Sequence, residues 1–396
     1  MKVLIAGGGI GGLTAALCCA HFGHEVLVFE QSAALEEVGA GIQIPPNAMK
    51  VFQALGISAL IRRQAFEPEA IEARMGETGR TIFTIPLANY AAQRWGADYL
   101  HIHRADYIAA IKEGLERVAP RALHLNSRID DYTQSADVVS VTLKDGRQFS
   151  GDILIGADGI KSAIREKMLG PDKPVFTGNV AWRAVVPIDK LASSPPSPTA
   201  CAWMGRKRHG VTYLLRNGTL ANFVGVVERG DWQDEGWAVR GSKEELQNDF
   251  HNWHPVIAGL IKSAAQDQLF RWALFDRAPL KTWMDGRAAL LGDAAHPMLP
   301  FLAQGAAMAV EDSWVIAREI SHKGRRAAQS LAAYQNLRLA RTSKVQVGSR
   351  ANMKTFHRQS RMGQIGTYGP MWLAGKTMPS LVHKRMDWLY GYDVTS

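Results

Sequence analysis

The feature that most constrains the fold is a glycine-rich segment near the amino terminus, with the spacing G-x-G-x-x-G at Gly7, Gly9 and Gly12. An apolar run (residues 3–6) precedes it, a segment rich in Ala and Leu follows it, and a second apolar run ends at Glu30. The apolar runs are typical of strands buried on both faces, and the segment between them is typical of a helix. The order therefore predicts a strand–turn–helix–strand unit.

Each glycine has a separate role in such a unit. Gly7 permits the tight turn, Gly9 lets a pyrophosphate approach the backbone, and Gly12 lets the helix pack closely on the strand. The helix amino terminus then faces the phosphates, and Glu30, about twenty residues further on, can accept hydrogen bonds from a ribose. We predict a dinucleotide site at Gly7, Gly9, Gly12 and Glu30. The alternative is a glycine-rich turn without a ligand.

Composition limits the class of protein. With 396 residues, 46% hydrophobic and 21% charged, the chain fits two domains, or one large domain with an insertion. Lys2 followed by an apolar run could be taken for a signal peptide, but the glycine spacing explains this segment better. Three cysteines, of which Cys18 and Cys19 are adjacent, suggest neither a disulfide framework nor a metal site. We therefore expect a cytoplasmic protein without a metal and without a membrane span.

The net charge of +9 calls for an explanation. Lysine and arginine are spread along the chain, and no RNA-binding or helix-turn-helix pattern accompanies them, so we expect no nucleic-acid partner. An anionic cofactor and an anionic substrate account for the charge more simply. The excess in the last quarter of the chain is interpreted as a solvated helical face, in preference to a membrane-surface or partner patch.

Two further segments each follow an apolar strand-like run. Residues 158–165 have the pattern D-G-x-x-S-x-x-R, and residues 292–297 read G-D-A-A-H-P. Segments with short strands rich in Val, Tyr, Trp and Phe lie between the glycine-containing parts. The predicted division is a discontinuous cofactor domain (1–70, 100–175 and 276–345), a substrate domain (71–99 and 176–275) and a C-terminal helical tail (346–396).

Together the three motifs resemble those of the single-component FAD-dependent aromatic hydroxylases, the class A flavoprotein monooxygenases. The resemblance extends over essentially the whole chain. It implies an α/β fold: a Rossmann-like FAD-binding domain with an inserted sheet-rich substrate domain and a helical C-terminal tail. It also implies FAD as cofactor, NADH or NADPH and O2 as co-substrates, and oxygen transfer through a C4a-hydroperoxyflavin. The chain has no second G-x-G-x-x-G for the nicotinamide nucleotide, and the family lacks one too.

The resemblance assigns further cofactor residues. Arg104 would contact the flavin phosphates or ribose, Asp158 would help to bind both FAD and NAD(P)H, and Asp293 would hydrogen-bond the ribityl chain. Two alternatives are a surface ion pair between Arg104 and Asp106 and a helix N-cap role for Asp293.

Around the flavin ring, the resemblance implies that Pro297 lies beside its reactive edge. Three residues would place backbone N–H groups by the far end of the ring: Gln304, Gly305 and Ala306.

Residues 208–214 resemble the salicylate, 3-hydroxybenzoate and 6-hydroxynicotinate hydroxylases of this family. His209 and Tyr213 are four residues apart, so on a strand both rings point to one face. His209 is the candidate base for a phenol proton, and Tyr213 would orient the substrate hydroxyl or carboxylate. A polar residue beside a turn is the alternative for His209, and His296 is the rival base. Four residues stay unassigned between pocket and core: Trp182, Arg183, Cys201 and Trp203.

The predicted substrate is a small hydroxylated aromatic acid, with decarboxylation if it is salicylate-like. Gln43 stands where some heteroaromatic hydroxylases carry a histidine, which weighs against a pyridine. One alternative is a biosynthetic hydroxylase or epoxidase of a larger aromatic, and another is a flavin-binding redox sensor or interaction protein. A homodimer formed through the tail is a further prediction.

Overall fold

A computed structural model describes residues 1–35, 41–191, 194–230 and 239–396. Within those residues the strands are β1 (Lys2–Ala6), β2 (Glu25–Phe29), β3 (Gly41–Ile44), β4 (Ala70–Met75), β5 (Thr81–Pro86), β6 (Leu100–His103), β7 (Leu123–His124), β8 (Ile129–Gln134), β9 (Val139–Leu143), β10 (Gln148–Gly151), β11 (Ile153–Gly156), β12 (Val175–Pro187), β13 (Ala200–Met204), β14 (Arg208–Leu215), β15 (Leu220–Glu228), β16 (Val239–Arg240), β17 (Phe270–Asp276), β18 (Met284–Asp285) and β19 (Ala288–Leu290).

The helices are α1 (Ile10–His21), α2 (Pro46–Ala54), α3 (Ser58–Arg62), α4 (Tyr90–Trp95), α5 (Arg104–Val118), α6 (Ala163–Leu169), α7 (Lys243–Asp249), α8 (Pro255–Ser263), α9 (Gly305–Ile320), α10 (Ala327–Phe356), α11 (Arg361–Thr377) and α12 (Pro379–Tyr390).

The first sheet has six strands in the order β18-β19-β11-β1-β2-β7 and is parallel except for the β18–β19 pair. The central strand β1 is apolar and almost fully buried, as expected for a strand covered on both faces. Ile5 pairs with Val28 on one side and Ile155 on the other. The carboxyl ends of β1, β11 and β19 therefore meet at one edge, directly before the three motifs.

The second large sheet has eight strands in the order β16-β17-β12-β15-β14-β13-β4-β5, mostly antiparallel. One face packs on α7 and α8, where Trp182 and Trp203 are buried with Phe250 and Ile257. The other face is partly covered by α11, which contacts β5. A three-stranded sheet (β10-β9-β8) and the β3–β6 pair complete the sheets found in the described residues.

The structure is thus a mixed α/β fold with several sheets and a helical C-terminal region, as the sequence predicts. Helix α10 runs through residues 345 and 346, so the expected boundary of the tail falls inside one helix. The division into domains stays a prediction. No helix in the described part of the chain is long and apolar enough to cross a membrane.

Candidate active site

The glycine-rich turn joins β1 to α1 under severe steric limits. Gly7 has φ +100°, and a Cβ placed on it would lie 2.4 Å from the carbonyl oxygen of Ala157. A Cβ on Gly12 would lie only 1.9 Å from the carbonyl oxygen of Gly7. Both positions therefore require glycine, for the turn and for close helix–strand packing respectively.

Gly9 is constrained differently. It is the N-cap of α1 and has no side chain to bond the first helical N–H groups, and a Cβ on it would meet no atom within 4 Å. The space in front of this helix amino terminus is therefore open. Unpaired N–H groups and the helix dipole make such a place suitable for an anion, and a pyrophosphate fits it.

The Glu30 carboxylate lies beside this turn. It accepts hydrogen bonds from the backbone N–H of Gly8 at 2.7 Å and of Ser32 at 2.8 Å. These bonds fix its orientation, and a carboxylate with two oxygens keeps further acceptor sites. The predicted ribose contact is compatible with this geometry.

Asp158 follows β11 and lies against the glycine turn, since its Cα is 3.1 Å from the position of a Cβ on Gly7. Its Oδ2 accepts from the N–H of Ile164 at 3.2 Å, and its buried Oδ1 has no hydrogen-bond partner among the described residues. Burial raises the pKa of this carboxyl group. Arg165 then donates to the carbonyl of Ala294 at 3.1 Å, which joins this segment to the one that follows β19.

Asp293 lies in the short 3-10 turn Gly292–Ala294, so it does not act as the N-cap of a longer helix. Protein surrounds the Asp293 side chain on all sides, yet the side chain has accessible surface. The accessible surface therefore faces a space inside the protein. Burial raises its pKa, while the charges of His296, Arg104 and Arg165 act in the opposite direction. Asp293 Oδ1 also lies 4.0 Å from the position of a Cβ on Gly305.

Arg104, at the start of α5, is within electrostatic range of Asp293, and its cofactor role stays a prediction. Asp106 is paired with another residue: Arg216 donates to both of its oxygens, at 2.7 and 3.0 Å.

A second helix amino terminus faces the same region. Gln304 is the buried N-cap of α9, and its Oε1 accepts from the side-chain amide of Asn47 at 3.1 Å. The Nε2 of Gln304 has no partner among the described residues. Gly305 and Ala306 open the helix and are half-buried. This end of the site offers N–H donors to a polar ring.

The residues of this region fit FAD. Open backbone donors at α1 suit the pyrophosphate, and two carboxylates with free acceptor capacity suit the ribose and ribityl hydroxyls. Donors at α9 suit the carbonyl groups of the flavin ring. The pyrophosphate, the ribose, the ribityl chain and the flavin ring therefore each have a group of matching chemistry.

A cavity of about 890 Å³ lies beside this region. The eight-stranded sheet forms one side, α10, α11 and α12 form the other, and residues 300–303, just before α9, contribute to its lining. Apolar side chains dominate, among them Phe301, Phe356 and Met371. Pro297 is buried, and its carbonyl accepts from Gln346 of α10 at 2.9 Å.

His209 lines this cavity from β14, and Val211 follows it on the same face. Tyr213, next along that face, is buried with its ring centroid 4.7 Å from that of His101. It also touches the backbone of Gly41, where a Cβ would lie 2.7 Å from the Tyr213 hydroxyl. Only His209 of the predicted pair is among the lining residues of the cavity, and Tyr213 packs further along the strand.

The environment of His209 favours a neutral imidazole. The residue is 3% exposed, and its ring packs against Phe301 and Phe356 at centroid distances of 5.3 and 5.1 Å. Its Nδ1 lies 2.7 Å from Nε2 of His357. Burial, and secondarily the nearby His357, hold the pKa of His209 well below its usual range. At neutral pH, His209 is therefore an unprotonated base.

Sequence reasoning missed His357, which is 148 residues from His209, and the contribution of α11 and α12 to the cavity.

The unassigned residues of β13 are explained by alternation: Ala200 and Ala202 line the cavity, whereas Cys201 and Trp203 belong to the core on the opposite face. Gln43 accepts a hydrogen bond from Tyr99, and both line the cavity. No local pattern in the sequence indicates the Tyr99–Gln43 pair.

The chain has known relatives over nearly its whole length. Residues 1–349 match the family model described as FAD binding domain. The chain is 35% identical to the 6-hydroxynicotinate 3-monooxygenase of Pseudomonas fluorescens, over 99% of this chain and 95% of the relative. It is 36% identical to the 3-hydroxybenzoate 6-hydroxylase of Polaromonas naphthalenivorans, over 100% and 96%.

Among solved structures, HpxO of Klebsiella pneumoniae, complexed with FAD and uric acid, superimposes with a TM-score of 0.87 at 25% identity, over 99% of this chain and 97% of that one. The family match and these relatives identify the chain as an FAD-dependent monooxygenase of aromatic rings. The chain belongs to the FAD binding domain family.

Proposed function

We propose that this protein uses NAD(P)H and O2 to hydroxylate a small aromatic acid that carries a ring hydroxyl. The observation that carries the proposal is the position of a buried, neutral histidine, His209, in an apolar cavity that borders the FAD site. By their names, the two relatives above act on 6-hydroxynicotinate and 3-hydroxybenzoate, both aromatic acids with a ring hydroxyl.

The predicted cofactor residues would bind FAD and fix its orientation. The amino terminus of α1 at Gly9 would hold the pyrophosphate, Glu30 the ribose, and Asp293 with Arg104 the ribityl and phosphate region. The amino terminus of α9 would fix the ring next to residues 300–303, which line the cavity. FAD, when bound there, supplies the redox chemistry that activates O2 with electrons from NAD(P)H.

His209 would remove the proton of the substrate hydroxyl, which makes the ring electron-rich and open to oxygen transfer. The hydrogen bond with His357 occupies Nδ1, so Nε2 is the nitrogen left to meet the substrate. Phe301 and Phe356 exclude water from the reacting region and lower the local dielectric. The predicted role of Tyr213 in orienting the substrate has less support, because its ring packs against His101 and Gly41 and is not among the residues that line the cavity.

The cavity volume favours a second candidate, hydroxylation of a larger aromatic. A disubstituted benzoate fills only part of about 890 Å³, and pockets of that size hold drug-sized ligands of about 300–1,000 Å³. The lining is mostly apolar, which suits an alkyl or second-ring substituent.

The test is oxygen-coupled oxidation of NADH and NADPH by the FAD-loaded protein with salicylate, 3-hydroxybenzoate and 6-hydroxynicotinate, alongside alkyl-substituted hydroxybenzoates. Stimulation matched by an equal amount of hydroxylated product supports the proposal and identifies the acid. Stimulation by the substituted acids alone favours the larger aromatic. Hydrogen peroxide in place of product, with every acid, contradicts both.

Three further expectations remain proposals. They are the division into a Rossmann-like FAD domain with an inserted substrate domain, a homodimer formed through the tail, and a cytoplasmic location. Size-exclusion chromatography with light scattering, on the full chain, tests the dimer.

A further inference from the structure

Three polar side chains extend outward from the cavity. His209 Nδ1 lies 2.7 Å from Nε2 of His357, and Nδ1 of His357 lies 3.4 Å from Oε1 of Glu228. The side chain of His357 is 1% exposed, whereas that of Glu228 is 30% exposed. The three side chains therefore lie in a row from the cavity to solvent, with a hydrogen bond between the two histidines and an ion-pair contact, not a hydrogen bond, between His357 and Glu228.

Different elements hold this path in place. His209 lies on β14 and Glu228 at the end of the neighbouring strand β15, while His357 caps the end of α10. The exposed Gln359 donates to both carboxylate oxygens of Glu228, at 3.0 and 2.8 Å. Because each group is fixed from a separate part of the fold, the alignment does not depend on one mobile loop.

A buried base needs such a path. Once His209 accepts a proton, its imidazolium lies among Phe301, Phe356 and His357, and none of these neighbours carries a negative charge. A charge held there without compensation is costly, and His357 is equally buried. Glu228 is the carboxylate that can stabilise the charge, and it also reaches water.

A cation also lies near the outer end of the path. The side chain of Arg206 donates to the carbonyl of Gln359, the residue whose amide holds the Glu228 carboxylate. Arg206 is exposed, so solvent screens its effect on the path.

We propose that His357 and Glu228 conduct to solvent the proton that His209 takes from the substrate hydroxyl. This inference rests on the proposed function. The substrate O–H bond breaks as an N–H bond forms at Nε2 of His209. His209 then releases its Nδ1 proton to Nε2 of His357, and His357 releases its Nδ1 proton to Glu228, which passes it to water. One proton enters and one leaves, and no electrons move.

The direction of transfer assigns the tautomers: before substrate binds, both histidines carry hydrogen on Nδ1. His357 and Glu228 touch neither the substrate nor the cofactor in this scheme. They act through His209, so their contribution must be separated from simple packing.

The experiment measures proton release directly. FAD-loaded protein, in weak buffer with a pH-indicator dye, is mixed without NADH in a stopped-flow instrument. The probe is whichever of salicylate, 3-hydroxybenzoate or 6-hydroxynicotinate the wild type hydroxylates, and benzoate or nicotinate, which lack the hydroxyl, serve as blanks. The variants are Glu228→Gln and His357→Gln. Glu244→Gln, an exposed acid on α7, is the matched control.

We expect the rate of proton release to fall at least tenfold in both variants. In a separate assay of NADH-dependent turnover, kcat should also fall at least tenfold, with KM for the acid within about twofold of wild type and FAD content unchanged. The blanks release no proton, and Glu244→Gln behaves as wild type. Formate added to Glu228→Ala should restore release, which a packing defect would not allow.

Unchanged proton release in both variants, with a wild type that hydroxylates the acid, overturns the inference alone. Loss of affinity for FAD and acid in step with kcat, without rescue by formate, also overturns it, because that pattern is structural. A wild type that oxidises no NADH with any of the acids overturns the proposed function and this inference together.

Discussion

His296 lies with Nε2 2.5 Å from Oδ2 of Asp312, and both side chains are buried. This contact directs the ring of His296 into the packing between the G-D-A-A-H-P segment and α9. His209, in contrast, lines the cavity. The two candidate bases of the sequence therefore occupy different environments, and the geometry favours His209.

A matched pair of variants tests this choice. His209→Gln should lower the rate of hydroxylation by about 10²–10⁴-fold, the usual contribution of a general base, with FAD still bound. His296→Gln keeps a donor for Asp312 and should lower the rate per bound FAD by no more than about threefold. The measurement is product formed per bound flavin. Equal loss of FAD and activity in His209→Gln would contradict the assignment of the base.

The pair His296–Asp312 belongs to a larger buried network. Arg338 of α10, fully buried, contacts Glu311 and Asp312 of α9, each at 2.7 Å. Replacing Arg338 by Met leaves the buried carboxylate of Asp312 without its arginine, whereas Glu311 keeps Arg341. We expect the free energy of unfolding to fall by about 3–5 kcal/mol. Urea denaturation of the FAD-loaded protein provides the measurement.

The control for that variant is Arg325→Met, because Arg325 is 42% exposed at its side chain and pairs with Glu319 at 2.7 Å. Solvent reaches Arg325, and the buried Glu319 keeps a second partner in Arg318 at 3.3 Å, so the loss of Arg325 should cost less than about 1 kcal/mol. Similar costs for the two variants would refute the argument from burial.

The glycines make a second matched pair. Gly9→Ala places a Cβ in open space, so the fold should change little, while the added methyl group occupies the approach of the pyrophosphate. We expect FAD affinity to fall about tenfold or more, about 1.4 kcal/mol, with nearly unchanged melting of the apoprotein. Flavin fluorescence titration and calorimetry separate the two effects.

Gly12→Ala should behave in the opposite manner, because its Cβ would lie 1.9 Å from the carbonyl oxygen of Gly7. The apoprotein of this variant should then unfold at a lower temperature than that of the wild type, or should accumulate in insoluble form. An apoprotein of Gly12→Ala as stable as that of Gly9→Ala would show that the turn relaxes freely.

Buried histidines predict acid sensitivity. Burial lowers the pKa of His101 to about 3, that of His357 to about 4, and that of His209 well below its usual value. The unfolded chain binds these protons near pH 6.5, so it holds more protons than the folded chain below that pH. The stabilising contribution is complete above about pH 7 and is lost as the pH falls below 6.5.

Each such histidine should contribute a loss of about 1.4 kcal/mol per pH unit between pH 6 and 5. Urea denaturation at pH 7.5, 6.5 and 5.5 gives the slope for the wild type and for His101→Phe. The free energy of unfolding of the variant should fall less steeply with decreasing pH, by about 1.4 kcal/mol per pH unit, which is the contribution of one histidine. A variant with the wild-type slope would mean that His101 charges without cost in the folded protein.

The sequence was sufficient for the parts of the site that depend on local order. The segment from Gly7 to Glu30 folds from neighbouring residues, and the motifs at Asp158 and Asp293 meet because each follows a parallel strand of one sheet. The mixed α/β class and the strands within residues 71–99 and 176–275 follow from hydrophobic periodicity.

The rest depends on contacts between distant parts of the chain. His357 is found next to His209 only once α10 is placed across the sheet, and no spacing in the sequence encodes that placement. The sequence predicts a separate tail, yet α10 crosses its boundary and α11 lies along β5. Helix α10 packs on α9, and residue patterns in the tail alone do not reveal that contact.

The last helix has a consequence for the order of events in synthesis. Arg341 of α10 binds Glu311 of α9 and donates to the carbonyls of Trp388 and Leu389, and both of these residues line the cavity. Lys50 donates to the carbonyls beyond them. A chain still attached to the ribosome can therefore complete its parallel strands once Leu290 has emerged, but its cavity remains incomplete until Tyr390 has emerged. The cavity is therefore completed later in synthesis than the sheet that carries the three motifs.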